Sequence, residues 1–454
     1  MSTKNDSEAT RSTIMDINAF RPEMMDALPP RTRALVEKRN LLGPSYRLFY
    51  RNPIHIVKGR GAHVWDGDGR DFLDVYNNVV SVGHCHPRVV EAVCEQVHTL
   101  NTHSRYLHET ILDYAQDLLS TMPDEVDRIM FQCTGSEAND LALRVAKAYT
   151  GGEGIIVTEE AYHGNTDLTS RVSPALGTAQ PLARDMRMIP TPDTYRLGME
   201  GADDLGCFMV DRLHEQIADM NRHGITFAAF LADSIFSSDG VFPGTDGWMK
   251  PLIDAVHEAG GVFIADEVQP GFTRTGNAFW GFARHGVVPD LITTGKPMAN
   301  GMPCSAMAAR HEVLEPFSSS IPYFNTFGGN PVSMAAAQAV LDIMREENTL
   351  AHAKEVGDAF RGALEDIART HPCIGDVRGT GLYIGCEIVE PGTTNPDAHA
   401  ALDIIEGLRE HAILTSVCGF SGNVLKLRPP LVFDMNDLDR FMDGFATTLD
   451  EQGL

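Results

Sequence analysis

Between about residues 105 and 310 the chain alternates short apolar runs with longer amphipathic stretches. Largely apolar runs fall at 128–133, 154–158, 227–232, 261–265, 291–294 and 305–309. Most are bounded by Gly, Pro or Asp, and their lengths predict buried strands. Between several of them, helical patterns recur, for example over 137–149 and 248–260. Strand and helix in alternation predict a mainly parallel, doubly wound sheet with its site at the carboxyl ends of the strands. Earlier, 63–74 sets apolar runs on either side of a Gly/Asp turn and predicts a hairpin. From about 330, helical patterns over 331–346 and 350–370 lead to short strand-like stretches at 378–385 and 423–430. These predict a smaller α+β domain. The expected class is α/β, with residues 1–75 forming an arm and hairpin that join the small domain, 76–330 the large domain and 331–454 the C-terminal small domain. No internal repeat is visible, and residues 1 to about 30 read as a polar arm.

At 454 residues the chain can bury a large core. Its formal net charge of −25 argues against a nucleic-acid or anionic-membrane partner. It does not exclude a small anionic substrate, because a few inward-facing cations can dominate a pocket. The eight cysteines include no CxxC pair and read as reduced thiols, with no metal site. No apolar run approaches the roughly 18 residues a membrane span needs. The start, MSTKNDSEATRST, lacks the apolar stretch of a secretory signal, so a cytoplasmic protein is expected.

Two of the predicted strands end in chemistry. The run 261–265 leads into Asp266-Glu267-Val268-Gln269, and 291–294 leads through Gly295 to Lys296. An acid and an amine at strand mouths are the two groups a pyridoxal phosphate (PLP) enzyme needs. The acid keeps the pyridine nitrogen protonated, and the amine forms a Schiff base with the aldehyde. Read singly, Asp266 could cap a loop and Lys296 could be a solvated surface lysine. Gln269, three residues on, could donate to the cofactor's phenolic oxygen. Thr134-Gly135-Ser136-Glu137-Ala138-Asn139 follows a strand and opens a helix, as a phosphate cradle or as an ordinary capped N-terminus. Tyr162 could stack on a flat cofactor or pack in the core. Thr326-Phe327-Gly328-Gly329-Asn330-Pro331 is a second Gly-rich turn, a plain turn or a further anion contact.

Together these residues resemble the class III aminotransferase family, PLP enzymes of fold type I, from about residue 53 to 433. The motifs are GHCHP at 83–87, TGSEAN at 134–139, YHG at 162–164, DEVQ at 266–269, GK at 295–296 and TFGGNP at 326–331. The resemblance implies that Gly135 and Ser136 bind the cofactor phosphate through backbone amides and that Tyr162 stacks on the ring. It implies that Asp266 pairs with the pyridine nitrogen, Gln269 approaches the phenolic oxygen and Lys296 carries the Schiff base. Thr326 would reach the phosphate of the neighbouring subunit, which makes a homodimer obligatory for the site.

Two departures matter. Amino-acid transaminases of this class usually carry an arginine two residues before a small-Pro-Pro turn, to fork onto the substrate carboxylate. Here that position is Lys426, and lysine is not equivalent at a bidentate site. The stretch whose second acid gates that arginine reads Asp233-Ser234-Ile235-Phe236-Ser237-Ser238, with no second acid. Several stretches look closer to the phospho-lyases that act on ethanolamine phosphate or 5-phosphohydroxylysine: 77–79, 101–108, 192–196, 317–320 and 423–430. That resemblance implies elimination of phosphate from a phosphorylated amine, giving acetaldehyde, ammonia and phosphate from ethanolamine phosphate. Arg105 is the first candidate for the substrate phosphate, with Tyr50, Arg51, Asn78 and Lys426 behind it. Each could equally be a surface or structural residue. The alternative is an ω-amine transaminase, which needs no carboxylate arginine.

Overall fold

The computed structural model describes residue 13 and residues 16–199 and 201–454. At its centre lies a seven-stranded sheet. In spatial order its strands are Arg128–Gln132, Ser305–Ala309, Leu291–Thr294, Val262–Asp266, Phe227–Ala232, Gly154–Thr158 and Met186–Ile189. Ser305–Ala309 runs antiparallel to both neighbours, and the other pairs are parallel. The mainly parallel sheet expected from the alternation is present.

Every residue of Gly154–Thr158, Phe227–Ala232, Val262–Asp266, Leu291–Thr294 and Ser305–Ala309 is buried. Successive side chains point to opposite faces, and both faces are cores. Ile155, Ala229 and Ile264 pack with Leu141 and Val145 of the helix Gly135–Thr150. Ile156, Phe230 and Phe263 pack with Met209 of Ala202–Arg222 and Leu252 of Met249–Glu258. Truncating Phe230 to Ala would cost roughly 3–5 kcal/mol.

The remaining sheets are smaller. Ile374–Thr380, Tyr383–Ile388, Val424–Leu427 and Ser416–Cys418 form an antiparallel four-stranded sheet. The predicted hairpin is formed by His63–Asp66 and Asp71–Asp74, and Ile413–Leu414 adds to it in parallel. Residues near both ends of the chain thus share one sheet. Of the expected arm, residues 1–12, 14 and 15 lie outside the described residues. The described part is anchored: Asn18 accepts from the Ser416 hydroxyl, and Ala19 bridges to Phe49. Among the described residues no helix is long and apolar enough to cross a membrane.

The sheet topology determines where chemistry can gather. Asp266 ends one strand, Asp233 follows another, and Lys296 lies two residues past a third. Thr134 follows Gln132 within two residues, and Tyr162 follows Thr158 within four. All lie at carboxyl ends of parallel strands.

Candidate active site

These strand ends enclose a cavity of about 300 Å³, lined by Gly135, Ser136, Tyr162, Asp266, Gln269 and Lys296 among others. At one end is the start of the helix Gly135–Thr150. Thr134 and Glu137 form a capping box: the Thr134 hydroxyl accepts from the Glu137 amide at 3.2 Å, and the Glu137 carboxylate accepts from the Thr134 amide at 2.9 Å. The amides of Gly135 and Ser136, in the first turn, have no acceptor within the helix. A Cβ on Gly135 would come within 2.9 Å of Val268 Cγ2, and one on Gly164 (φ +143°) within 2.7 Å of Ser136 Oγ. Backbone therefore lines this corner, with free N–H groups and a helix dipole that suit a phosphate.

Asp266 is buried and opens onto the cavity. Its carboxylate accepts from His163 Nδ1 at 2.7 Å, Asn139 Nδ2 at 2.9 Å and the Val268 amide at 3.1 Å. Asn139 is fixed in turn, donating to the His163 carbonyl and accepting from the Thr293 hydroxyl. No lysine or arginine forms an ion pair with Asp266 among the described residues, so its charge remains available to a cationic ligand. His163 Nε2 is buried without a hydrogen-bond partner among the described residues. Those two features fit the protonated nitrogen and ring of a pyridine cofactor.

Lys296 is half-buried, its exposure being to the cavity. Burial pushes its amine down to about 8, helped by the nearby Arg428, while Asp266 and Asp233 oppose the shift. An amine in that range is available as a nucleophile and as a base. Tyr162 lines the wall, its hydroxyl pushed up by burial and then by Asp266.

Behind Gln269, which lines the cavity, lies a cationic wall of residues that do not themselves line it. Gln269 Oε1 accepts from Asn78 Nδ2 at 2.9 Å, from Tyr383 Oη at 3.3 Å and from Arg428 Nη1. Arg428 Nη1 also donates to Asn78 Oδ1 at 3.0 Å, and its guanidinium lies 4.4 Å from the centre of the Tyr76 ring. Lys426 is 3% exposed and pushed down to about 7, by burial first and then by Arg428. Arg274 is also buried, pushed down to about 9 by burial and Arg428, and donates to the carbonyls of Leu382 and Pro429. None of these three cations has a carboxylate within ion-pair distance among the described residues. Asp233 lines the cavity, but its carboxylate is held by the amides of Ile235 and Ser237 and the Ser237 hydroxyl.

The expected residues do not all converge within one chain. Asn78 and Lys426 belong to this cationic wall. Tyr50 is buried, and its hydroxyl donates to the Thr415 carbonyl at 2.8 Å. Arg51 pairs with Asp403 at 2.6 Å and lines a separate surface groove. Arg105 is exposed, 5.6 Å from the Phe324 ring, and Thr326 is exposed on the same side. Sequence reasoning missed Asn139, His163, Asp233, Tyr383 and Arg428. Asn139 and His163 sat inside quoted motifs without a role. Arg428 left a signal, since it occupies the small position of the small-Pro-Pro turn. Tyr383 left none, because its contact with Gln269 joins residues 114 apart in sequence.

Comparison with known proteins identifies the family. The family model for aminotransferase class-III matches residues 48–449. A Drosophila melanogaster protein named alanine–glyoxylate aminotransferase 2-like is 37% identical over 92% of this chain and 87% of its own length. A Caenorhabditis elegans protein named ethanolamine-phosphate phospho-lyase homolog 1 is 36% identical over 89% of this chain and 90% of its own. A solved structure of a phospholyase from Arthrobacter, in complex with phosphoethanolamine, superposes with a TM-score of 0.88 at 38% identity, covering 92% of this chain and 99% of that one. By the extent of these matches, and by a cavity whose donors and acceptors suit its cofactor, the chain belongs to the class-III aminotransferase family, as an enzyme of fold type I that uses pyridoxal 5'-phosphate.

Proposed function

We propose that the protein is a phospho-lyase, removing phosphate from a small phosphorylated amine such as ethanolamine phosphate or 5-phosphohydroxylysine. The observation that carries this reading is the pair of buried cations, Lys426 and Arg428, near the cavity and without a carboxylate partner among the described residues. Buried charge without a counter-ion is costly unless a ligand supplies one. The Gly135–Ser136 corner takes the cofactor phosphate, so a second anion site is left for substrate. The Arthrobacter structure holding phosphoethanolamine and the Caenorhabditis elegans relative support the same reading.

PLP supplies the electron sink for the bond broken next to the substrate nitrogen. The chain's own residues do the rest. Asp266, oriented by His163 and Asn139, would keep the pyridine nitrogen protonated. Tyr162 would hold the ring face, and Gln269 would address the phenolic oxygen. Lys296 would hold the cofactor and, as a free amine, would take the proton from the substrate carbon bonded to nitrogen. Lys426 and Arg428 bind the phosphate on the adjacent carbon and stabilise it as it leaves with the electron pair of the C–O bond. With ethanolamine phosphate, one water is consumed and acetaldehyde, ammonia and phosphate are formed.

A second copy completes the site in this reading. Tyr106, Leu107, Phe324 and Phe327 are exposed, Leu107 at 98%. The His103 ring stacks on Tyr106 at 5.0 Å and meets Phe324 edge-on at 5.7 Å, which joins the two segments into one patch. Covering that patch with a partner would carry Arg105 and Thr326 to the partner's cavity. The eight free cysteines suit a reducing compartment, and we assign the protein to the cytoplasm.

An ω-amine transaminase is the second reading, favoured by the aminotransferase name of the Drosophila melanogaster relative. Purified holoenzyme incubated with ethanolamine phosphate separates the two. Phosphate and acetaldehyde released in equal amounts support the lyase. Absence of phosphate, with the cofactor left in its amine form, supports the transaminase.

A further inference from the structure

The cationic wall also holds a polarity relay that sets how Gln269 faces the cavity. Asn78 and Gln269 are both amides, and each could present either oxygen or nitrogen to a neighbour. Arg428 removes that freedom. A guanidinium carries five donors and no acceptor. Its Nη1 lies at 3.0 Å from Asn78 Oδ1 and also contacts Gln269 Oε1. The Asn78 oxygen must therefore face Arg428, which turns Asn78 Nδ2 toward Gln269, 2.9 Å from its Oε1. Tyr383 Oη adds a third donor to the same oxygen at 3.3 Å. Reversing the Gln269 amide would set its NH2 group against two fixed donors, Arg428 and Asn78, since only the Tyr383 hydroxyl could turn to accept. Arg428 is itself fixed. Its amide donates to the Val75 carbonyl at 2.9 Å, and its guanidinium lies on the Tyr76 ring. The turn bearing Tyr76 and Asn78 is held by Asp74, whose carboxylate accepts from the amides of Tyr76 and Asn77 and from His84 Nε2.

We propose that Arg428 is a positioning residue for the cofactor: directly and through Asn78 it locks Gln269 with its oxygen turned to the wall, so that its amide nitrogen faces the cavity only as a donor. A fixed donor there stabilises negative charge on the cofactor's ring oxygen and thereby lowers the pH at which the lysine-bound cofactor loses its proton. This role is independent of whether the substrate carries a phosphate.

The test is a double-mutant cycle read by absorbance, not by activity. The pH midpoint of the spectral change of the lysine-bound cofactor is measured in the parent holoenzyme, in Arg428→Met, in Gln269→Leu and in the double variant. Gln269→Leu and Arg428→Met should each raise the midpoint by about one unit. In the Gln269→Leu background, Arg428→Met should add clearly less than it does alone, leaving only the direct effect of its charge on Lys296. An Arg428→Met shift that is equally large in both backgrounds would mean that Arg428 acts by its own charge, and overturns the proposal. So does a Gln269→Leu protein with the parent midpoint. Should Arg428→Met not fold, Asn78→Leu carries the same cycle with the arginine charge retained. Its upward shift must also vanish in the Gln269→Leu background.

Discussion

The acidic wall of the cavity and the cationic wall behind Gln269 solve the same electrostatic problem with opposite signs. On one, the Asp266 carboxylate is buried on donors from His163, Asn139 and the Val268 amide. On the other, the Arg428 guanidinium is buried on the carbonyl oxygens of Asn78 and Gln269 and a tyrosine ring. Among the described residues, in neither case does an opposite formal charge from an Asp, Glu, Lys or Arg side chain cancel the buried one. Ion pairs do neutralise buried charge elsewhere in the molecule, as where Arg378 meets Asp376 and Glu387. The difference teaches that a buried charge satisfied by hydrogen bonds alone keeps its field for a ligand, whereas an ion pair spends that field inside the fold. In the function proposed above, the first wall takes a cation, the pyridinium, and the second an anion.

The amine between the walls gives the largest expected effect. Lys296→Ala should lower turnover at least about 10³-fold, within the range for losing a nucleophile and general base. It should also abolish the absorbance of the covalently held cofactor; a variant that keeps that band would have its attachment elsewhere. Asp266→Asn keeps the shape of its wall and removes the charge. It should cost about 10²–10⁴-fold in kcat with retained Tm. If it costs less than tenfold, the anionic wall is not needed.

On the opposite wall, Lys426→Met removes one charge-assisted contact, worth about 1.5–3 kcal/mol. KM for ethanolamine phosphate should rise about 10–100-fold, with a smaller change in kcat. A pH profile sharpens this. Lys426 is charged below about 7 and loses its proton above it. The parent's kcat/KM for a phosphorylated amine should therefore fall as pH rises above that range. Lys426→Arg, charged throughout, should hold its value further into alkaline pH. Identical alkaline limbs would remove Lys426 from the anion site.

Legibility followed the same division. Apolar runs exposed the central strands because both sheet faces are covered, so 227–232 and 291–294 carry no polar residue inward or outward except threonine. Met186–Ile189 escaped notice. It is one of two edge strands and only four residues long, and Arg187 reaches out to Asp219, so its pattern is broken. The anionic wall was readable because its parts are local: an acid at a strand end, a capped helix, an aromatic turn. The cationic wall was half-read. Lys426 stood out as a substitution in a known pattern, but Arg428 meets Asn78 across 350 residues, and only packing brings them together. Tyr50 and Arg51 looked available in sequence, yet one hydroxyl is bound to a carbonyl and the other side chain to Asp403.

The smallest expected effect concerns Glu267, which points away from the cavity and accepts from the Gly281 and Phe282 amides and the Ser234 hydroxyl. Burial raises it to about 8, so the folded protein keeps a proton there that the unfolded chain releases near its ordinary 4.5. Its contribution is present below that lower value and is lost as pH rises toward about 8. Glu267→Gln should therefore gain Tm relative to the parent as pH is raised from about 5 to 8. A difference that stays flat would show that the acid is ionised in the fold.

The most direct measurement is a crystal structure of the holoenzyme soaked with ethanolamine phosphate. The substrate amine should lie at the Lys296 side, and the substrate phosphate should sit within hydrogen-bond reach, about 3 Å, of Lys426 or Arg428. A phosphate seated elsewhere, with both cations untouched, would contradict the account of the second wall.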